Sequence, residues 1–332
     1  TCREWLRFVG QHGCMLSRDP SRVYAAAASW PASSAPARAF ARLVDQGAQD
    51  VLFCLERVNK PRRLDLCLLT LEGHGRGPWG CGCDVSPDGA RIVTCGTDGR
   101  ARTWSSFTGE NLRCLKGSVN GCAFSPDGAM IATCGSDGMT KLWEAESGAL
   151  LRTLEARHSK GVKRCAFSPN GAVIATMGND LTAKLSETDS GRLVRTLEGY
   201  RGGRRAVSSH VAFSPDGTTI ATCSRKTELW ETDSGALIRT LEGHSRPVTC
   251  CTFSPDGAVV ATSSQDCTVK LWEFDSGSLL RTLVGSAAFV EWISFSGTIL
   301  AACTGNTIEL WDTESWSLVR KLEGHACQVR CC

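Results

Sequence analysis

The 332-residue sequence has no apolar segment long enough to cross a membrane, because no run approaches the roughly 18 residues that a spanning helix needs. Its first five residues lack the basic-then-apolar order of a secretory signal peptide. The sequence also lacks a large excess of one sign of charge. The 37 basic and 34 acidic residues leave a net charge of +3, which is too small to indicate nucleic acid or an acidic membrane as a partner. We therefore expect a cytoplasmic or nuclear location and no membrane partner.

Catalytic signatures are missing as well. The sequence contains no Gly-x4-Gly-Lys-Ser/Thr phosphate loop, no Gly-x-Ser-x-Gly turn and no His-Glu-x-x-His zinc motif. These absences leave no candidate nucleophile, general base or phosphate cradle. We expect a protein that is not an enzyme, with no catalytic residues and no cofactor.

What the sequence does contain is an internal repeat. The tetrapeptide Ser-Pro-Asp-Gly begins at Ser86, Ser125, Ser214 and Ser254, and variants begin at Ser168 and Phe295. Successive copies are 39, 43, 46 and 40 residues apart, and the last interval is about 42. A period of about 40–45 residues is typical of a four-stranded propeller blade and is too long for ankyrin or tetratricopeptide repeats.

Each repeat divides into four short strands and three turns. In the second unit an apolar strand ends at Phe124, a Pro-Asp-Gly turn follows, and a second strand covers 129–134. A Ser-Asp-Gly turn leads to a third strand that ends at Trp143, and Gly148 precedes a fourth strand over 150–154. This order of strands and hairpin turns predicts one propeller blade per repeat.

The units resemble WD repeats, a family of β-propellers marked by Gly-His near one end and Trp-Asp at the other. Gly-His stands at His74, His244 and His325, and a Trp-acid ending stands at Trp143, Trp230, Trp272 and Trp311, with Trp104-Ser105 as a variant. The resemblance covers residues 66–332. It implies a mainly β fold: a WD-repeat propeller of the seven-bladed type, with six full repeats and the start of a seventh.

In this family a His, a Ser or Thr, an Asp and the Trp form a hydrogen-bonded set inside each blade, with a structural role. The resemblance assigns the following residues to that network: His74, Asp98, Trp104, Asp137, Trp143, Asp180, Trp230, His244, Asp266, Trp272 and Trp311. Thr94 would supply the hydroxyl in unit one, and Ser263 or Ser264 would supply it in unit five.

Three units depart from this pattern. Unit two has Ser118 in place of His, and unit three has Ser186 in place of Trp. Unit four has Tyr200 in place of His and lacks two turn residues before Lys226. We expect units three and four to be more loosely packed than the others.

Nineteen cysteines are many for a chain of this kind. Nine of them fall at two repeat-equivalent strand positions: Cys83, Cys122, Cys165, Cys251 and Cys332 at one, and Cys95, Cys134, Cys223 and Cys303 at the other. Free cysteine packs as a small apolar residue, so we expect core packing and no disulfide network. Equivalent sites on neighbouring blades lie too far apart to share an ion, and adjacent strand residues face opposite sides. We therefore expect no metal site, and we expect His210 to be a satisfied core residue.

The order of the repeats also predicts that the seventh blade is incomplete in this sequence. The segment 66–72 matches a fourth strand, and 328–332 begins a first strand that would belong to the same seventh blade. Because the second and third strands of that blade are missing and the chain has no initiator methionine, we expect a fragment of a longer protein.

Residues 1–65 predict short helices and a linker. They resemble the helical segment before the propeller in NACHT-plus-WD signalling ATPases, the group that includes telomerase protein component 1. The motifs that carry this resemblance are Phe8-Val9-x-x-His12, the segment 16–20, the alanine run 25–28 and Asn59-Lys60-Pro61. A generic helical cap on the propeller is the alternative.

In WD propellers, partners commonly bind the top-face loops that precede each first strand. The corresponding residues here are Trp79, Asn120, Lys163, Arg164, Arg204, Arg205, Arg246, Phe289, Glu291 and Arg330. Basic stretches at 157–164, 201–205 and Arg246 fall in equivalent loops of three consecutive units. They are either solvated loop charges or a sector that captures an acidic peptide, a phosphopeptide or an RNA backbone.

Two functional hypotheses remain open at this point. The first is a scaffold or sensor propeller within a larger NACHT-plus-WD signalling ATPase. The second is a stand-alone adaptor, such as a ubiquitin-ligase substrate receptor or a ribonucleoprotein component. Both predict protein or peptide partners and membership of a larger complex.

Overall fold

The computed structural model describes residues 71–74, 82–96, 98–198, 210–285, 288–323 and 329. Within these ranges the chain forms six antiparallel sheets of four strands, each built from four consecutive strands. The repeat therefore corresponds to a propeller blade, as predicted. The strands proposed for a seventh blade and the helices proposed for 1–65 lie outside the described residues, apart from 71–72 and 329.

The strands of blades one to three have the following bounds: β1 (Gly82–Val85), β2 (Arg91–Cys95), β3 (Arg100–Ser105), β4 (Asn111–Lys116); β5 (Gly121–Phe124), β6 (Met130–Cys134), β7 (Thr140–Glu144), β8 (Leu150–Thr153); β9 (Val162–Phe167), β10 (Val173–Gly178), β11 (Thr182–Glu187), β12 (Leu193–Glu198).

Blades four to six continue the series: β13 (His210–Phe213), β14 (Thr219–Cys223), β15 (Thr227–Glu231), β16 (Leu237–Leu241); β17 (Val248–Phe253), β18 (Val259–Ser264), β19 (Thr268–Glu273), β20 (Leu279–Val284); β21 (Val290–Ser296), β22 (Ile299–Thr304), β23 (Thr307–Asp312), β24 (Leu318–Leu322).

The Ser-Pro-Asp-Gly turn explains why the first two strands of a blade pair so regularly. The Ser125 hydroxyl donates to the Asp127 carboxylate at 2.5 Å and accepts the N–H of Met130 at 2.8 Å, and Asp127 also accepts the N–H of Ala129. Gly128 takes a φ of +71°, which only glycine adopts without strain. Asp88, Asp216 and Asp256 make the same bonds, so the turn is a repeated local structure.

The core lies between neighbouring blades. First strands contact one another in the order β1, β5, β9, β13, β17 and β21. One apolar cluster contains Val93 of blade one with Ile131 and Trp143 of blade two, and another contains Ala221 of blade four with Phe253 and Trp272 of blade five. Each blade therefore buries its face against the next, as expected of stacked repeats.

Candidate functional site

The residue near the entry of each first strand pairs with the end of the second strand, and three of these six residues, Arg164, His210 and Trp292, line the central channel. Going from blade one to blade six, these residues are Gly82, Gly121, Arg164, His210, Cys250 and Trp292. Gly82 makes room for the side chain of Arg164, and Gly121 makes room for the backbone of blade three. A Cβ at Gly82 would lie 2.5 Å from Nη1 of Arg164, and one at Gly121 would lie 2.8 Å from the Lys163 carbonyl oxygen.

Trp292 joins two of the channel residues. Cζ of Arg164 lies 4.7 Å from the centroid of the Trp292 ring, in a cation–π arrangement. The imidazole of His210 meets the same indole edge to face, with 4.6 Å between the ring centroids. Burial lowers the pKa of His210 to about 3, and the nearby Arg164 charge contributes, so the imidazole is neutral.

Arg164, His210 and Trp292 also line a cavity of about 570 Å³ that extends to the end that carries the Ser-Pro-Asp-Gly turns. Phe124, Phe213 and Phe295 line it together with several of the turn prolines. Asp84 also lines the cavity, and burial raises the pKa of its carboxyl although it accepts the N–H groups of Phe124 and Val85. The cavity is mostly apolar and carries few charges.

The opposite, top end of the blades has two equivalent grooves. Groove 2/3 has a volume of about 410 Å³ and is lined by Ser136, Asp137, Arg157, His158, Ser159, Lys160 and Gly161. Groove 4/5 has a volume of about 400 Å³ and is lined by 225–226 and 241–248. Each is formed by the turn between the second and third strands of a blade and the connection that enters the next blade.

Both grooves carry excess positive charge. Arg157 and Lys160 are exposed in groove 2/3, where Asp137 is the acidic residue. Groove 4/5 contains Arg225, Lys226 and Arg246, and its acidic residue, Glu242, forms an ion pair with Lys226. The grooves therefore repeat the same electrostatic character two blades apart.

The predicted binding residues occupy different environments. Asn120 links two blades, because its Nδ2 donates to the Val162 carbonyl oxygen at 2.9 Å and its Oδ1 accepts from the Ser136 hydroxyl. Arg164 lies in the channel against Trp292, whereas Arg246 is exposed in groove 4/5.

The other predicted binding residues are either at strand entries or outside the described part of the chain. Phe289 is exposed, and Lys163 and Glu291 are half-buried at strand entries. Trp79, Arg204, Arg205 and Arg330 lie outside the described residues.

The hydrogen-bonded network of blade one matches the prediction. His74 contacts Asp98 at 3.1 Å through Nδ1 and Thr94 at 2.7 Å through Nε2, and the indole N–H of Trp104 donates to the same Thr94 oxygen at 2.7 Å. Arg102 adds an ion pair to Asp98. Burial raises the pKa of Asp98, but the Arg102 and His74 bonds outweigh it and lower the pKa to about 2.

Blade five forms the same network with one correction. His244 contacts Asp266 at 2.9 Å, and both His244 and the Trp272 indole bond to the hydroxyl of Thr262 at 2.8 Å. The proposal of Ser263 or Ser264 was therefore wrong by one or two residues. Those two side chains bond instead to Thr249 and to the carbonyl oxygens of 246 and 247.

Blade three contains a network histidine that sequence reasoning missed. His158 is completely buried and contacts Asp180 at 2.9 Å and Thr176 at 2.9 Å. A search for Gly-His does not find it, because Ala156 and Arg157 precede it. The spacing was the available signal, since His158 and His244 each stand 22 residues before their aspartate.

The remaining network residues form only part of the set. In blades two and four the indole N–H groups of Trp143 and Trp230 donate to Thr133 and Thr222. Asp137 accepts the N–H of Met139 inside its turn. The spacing from Thr to Trp is 10 residues in blade two and 8 in blade four, which confirms the two-residue deletion before Lys226.

Blade six retains its tryptophan as a packing residue. Trp311 packs against the apolar cluster shared by blades five and six. The nearby carboxylate of Glu309 is buried and forms an ion pair with Lys321 at 2.8 Å.

The described cysteines of the repeat are thiols outside any disulfide. The first-strand cysteines face the preceding blade and meet the cysteines that end its second strand. Three such pairs interact, Cys95 with Cys122, Cys134 with Cys165 and Cys223 with Cys251. Burial and the neighbouring thiol raise the pKa values of Cys134 and Cys223 well above the ordinary range.

One of these pairs includes a histidine. The ligand atoms of His210, Cys223 and Cys251 all lie within 4.8 Å of one another, and all three residues are buried. The geometric reason for expecting no shared site fails for this trio, because the two cysteines that meet are not repeat-equivalent. They come from different strands of adjacent blades.

Comparison with protein families agrees with the repeat and the blades. The family model for the WD domain, G-beta repeat, matches residues 65–105, 109–144, 148–185, 191–227 and 235–273, more than half of the chain. The chain belongs to the WD-repeat family. No curated protein matches it significantly.

The propeller has a sixth blade, β21 to β24, beyond the five ranges that the family model matches. In the part of the chain that the structure describes, no helix is long and apolar enough to span a lipid bilayer.

Proposed function

We propose that this WD-repeat propeller is a non-catalytic scaffold that binds an acidic or phosphorylated peptide across its two top-face grooves. The observation that carries the proposal is the repetition of groove 2/3 in groove 4/5, each with more basic than acidic side chains. A rigid propeller that presents equivalent basic grooves can bind two anionic groups of one extended chain. Guanidinium groups suit carboxylate and phosphate ligands because they donate several hydrogen bonds in a fixed plane.

The exposed basic residues are better candidates for these contacts than the channel residue Arg164. Arg157, Lys160 and Arg246 are exposed on groove walls, whereas Arg164 packs on Trp292. Phe289, which is 44% exposed, offers an aromatic contact at the entry to blade six. Binding through surface charges predicts a strong decrease in affinity with salt.

The test is fluorescence anisotropy with a labelled peptide of alternating phosphoserine and glutamate. The triple variant Arg157→Glu, Lys160→Glu, Arg246→Glu should weaken binding about tenfold or more, because each exposed ion pair contributes roughly 0.2–1 kcal/mol. The matched control reverses three exposed arginines outside the grooves, Arg192, Arg281 and Arg320. Equal losses in both triple variants would show that only net charge matters and would contradict the proposal.

An RNA ligand is the alternative outcome. A single-stranded oligouridylate of equal charge should bind more weakly than the phosphopeptide at the same salt concentration. Tighter binding of the oligonucleotide, lost in the groove variant, would refute the peptide assignment. It would favour a ribonucleoprotein component instead.

The scaffold fits both cellular settings inferred from the sequence, a NACHT-plus-WD signalling ATPase and a stand-alone adaptor. An immunoblot of the native protein with an antibody against residues 254–272 distinguishes them. A band far above 35.6 kDa favours the first, and a band near that mass favours the second.

A further inference from the structure

We propose that His210, Cys223 and Cys251 form a binding site for copper(I) at the boundary between blades four and five. His210 and Cys223 belong to blade four, on β13 and β14, and Cys251 belongs to β17 of blade five. The site is separate from the top-face grooves and does not depend on the peptide-binding proposal.

The distances fit a shared ion. Nδ1 of His210 lies 3.8 Å from Sγ of Cys251, and the three ligand atoms are within 4.8 Å of one another. Metal–sulfur bonds of about 2.3 Å and metal–nitrogen bonds of about 2.0–2.1 Å place neighbouring ligand atoms roughly 3.5–4 Å apart. Small side-chain movements therefore suffice to bring all three atoms onto one ion.

Comparison of the three cysteine pairs shows how the Cys223–Cys251 pair differs from the other two. Cys95 and Cys134 each pair across the sheet with a glycine, Gly82 or Gly121, whereas Cys223 pairs with His210. The same cysteine arrangement therefore occurs twice without an imidazole and once with one. The two cysteine pairs without an imidazole therefore serve as controls for the contribution of the histidine.

The chemistry favours copper(I) over zinc. Thiolates are soft ligands that select Cu(I) and Zn, but structural zinc sites almost always have four protein ligands, and a zinc site with three needs water in the fourth position. Among the described residues this cluster contains three. Two thiolates with copper(I) leave a complex of charge −1, whereas zinc gives a neutral one. Arg164, which shares the Trp292 ring with His210, is a nearby positive charge that favours the anionic complex.

Binding would proceed by ligand substitution without a redox step. One Cu⁺ ion enters, both thiols release their protons, and the neutral imidazole donates a lone pair. His210 lines the channel cavity, so the ion has a route from solvent. The bound ion would connect blade four to blade five and raise the stability of the folded chain, because it binds only the assembled site.

The test is an anaerobic titration of the full reduced chain with Cu(I) in the presence of bicinchoninate as a competing chelator. X-ray absorption at one equivalent should show one nitrogen and two sulfur ligands. Cys251→Ser should lower the affinity for that equivalent by about 100-fold or more, beyond the roughly 10–100-fold cost of losing an outer-shell partner. Cys122→Ser, in a pair without histidine, should leave both the affinity and the nitrogen ligand unchanged.

His210→Gly recreates the environment of the other two pairs and should leave a two-sulfur spectrum. His210→Asn provides a second variant if the glycine variant does not fold, as judged by circular dichroism. The proposal is wrong if the wild-type spectrum contains no nitrogen ligand, or if Cys122→Ser weakens binding as much as Cys251→Ser. It is also wrong if the site prefers zinc with four ligands.

Discussion

Blades three and five contain the same buried triad in two different sequence settings. His158, Thr176 and Asp180 in blade three correspond to His244, Thr262 and Asp266 in blade five, with the same spacing from His to Asp and nearly the same distances. In both blades the serine after the histidine donates its N–H to the aspartate, at 2.9 and 3.0 Å.

The two blades differ in what completes the triad. Blade five places the Trp272 indole on the Thr262 hydroxyl and packs the ring over Gly243, where a Cβ would come within 3.1 Å of the ring. Blade three has Ser186 there, with a buried hydroxyl that finds no hydrogen-bond partner in the structure, and Ala156 and Arg157 precede its histidine. The comparison shows that the triad forms without the tryptophan and without a glycine before the histidine.

The largest expected difference between the blades comes from removing the indole. Trp272→Ala should lower the free energy of unfolding by about 3–5 kcal/mol, because the buried ring leaves a cavity and the Thr262 hydroxyl loses a donor. Urea denaturation measures the change. A loss below about 1 kcal/mol would mean that blade five tolerates the missing ring as well as blade three does.

Removal of the histidine should affect both blades alike. His158→Ala and His244→Ala should each cost about 2 kcal/mol, because each removes a buried imidazole that bonds to both an aspartate and a threonine. Ser118→Ala in blade two, an exposed serine at the histidine position, is the control and should change stability by less than about 0.5 kcal/mol. Urea unfolding of the three variants checks this. Costs for the two histidines that differ by more than about 1.5 kcal/mol would show that the tryptophan alters the triad.

The stability that the triad contributes should depend on pH in the same way in blades three and five. Burial raises the pKa of Asp180, but hydrogen bonds from His158 and Thr182 outweigh it and lower the pKa to about 2. Since the unfolded value is about 3.9, this carboxylate stabilises the fold above pH 4 by an amount on the order of 2 kcal/mol, and the contribution disappears as the pH falls to 2. The pKa of Asp266 is lowered in the same way, against the effect of its burial.

Both histidines add acid sensitivity at higher pH. Burial lowers the pKa values of His158 and His244, although their aspartates partly oppose this. The unfolded chain therefore binds protons first, and stability should start to decline below about pH 6.5. The free energy of unfolding, measured at pH 7, 5, 4 and 2.5, tests whether stability is lost first through the histidines and then through the aspartates. Asp180→Asn and Asp266→Asn should each flatten the step between pH 4 and 2, and a flattening in only one blade would contradict the equivalence.

The smallest expected effect belongs to Ser186. Ser186→Ala removes a buried hydroxyl that has no hydrogen-bond partner in the structure, so it should leave stability unchanged or raise it by up to about 1 kcal/mol. Thr262→Ala, which removes the hydroxyl that His244 and Trp272 share in blade five, is the contrasting variant and should destabilise. Thermal unfolding of the two variants provides the comparison. A clear loss with Ser186→Ala would indicate a partner for this hydroxyl.

Local sequence signals predicted much of this fold. The repeat period, the turn tetrapeptides and the alternation of residues predicted four strands per unit, and the observed strand bounds of blade two differ from the prediction by about one residue. The network residues of blades one and five were found because Gly-His and Trp-acid motifs mark them. His158 was missed because its loop departs from Gly-His, and Thr262 was missed because two adjacent serines offered the same chemistry.

The candidate sites depended more on the three-dimensional arrangement. The sequence placed basic residues in equivalent loops, but only the structure separates Arg246, exposed in a groove, from Arg164, packed in the channel. Asn120, predicted as a binding residue, joins two blades through its amide. Side chains at equivalent positions take different roles because the neighbour across the blade boundary differs from blade to blade.

By itself the sequence determined the strands, the turns and the order of the blades, because these depend on residues within about forty positions of one another. The tertiary structure decided which residues meet across blade boundaries. Cys223 and Cys251 are not repeat-equivalent, yet they are in contact because the first strand of one blade packs on the second strand of the blade before it. His210 joins them because it pairs with Cys223 across the sheet, in a position where blades one and two have glycine.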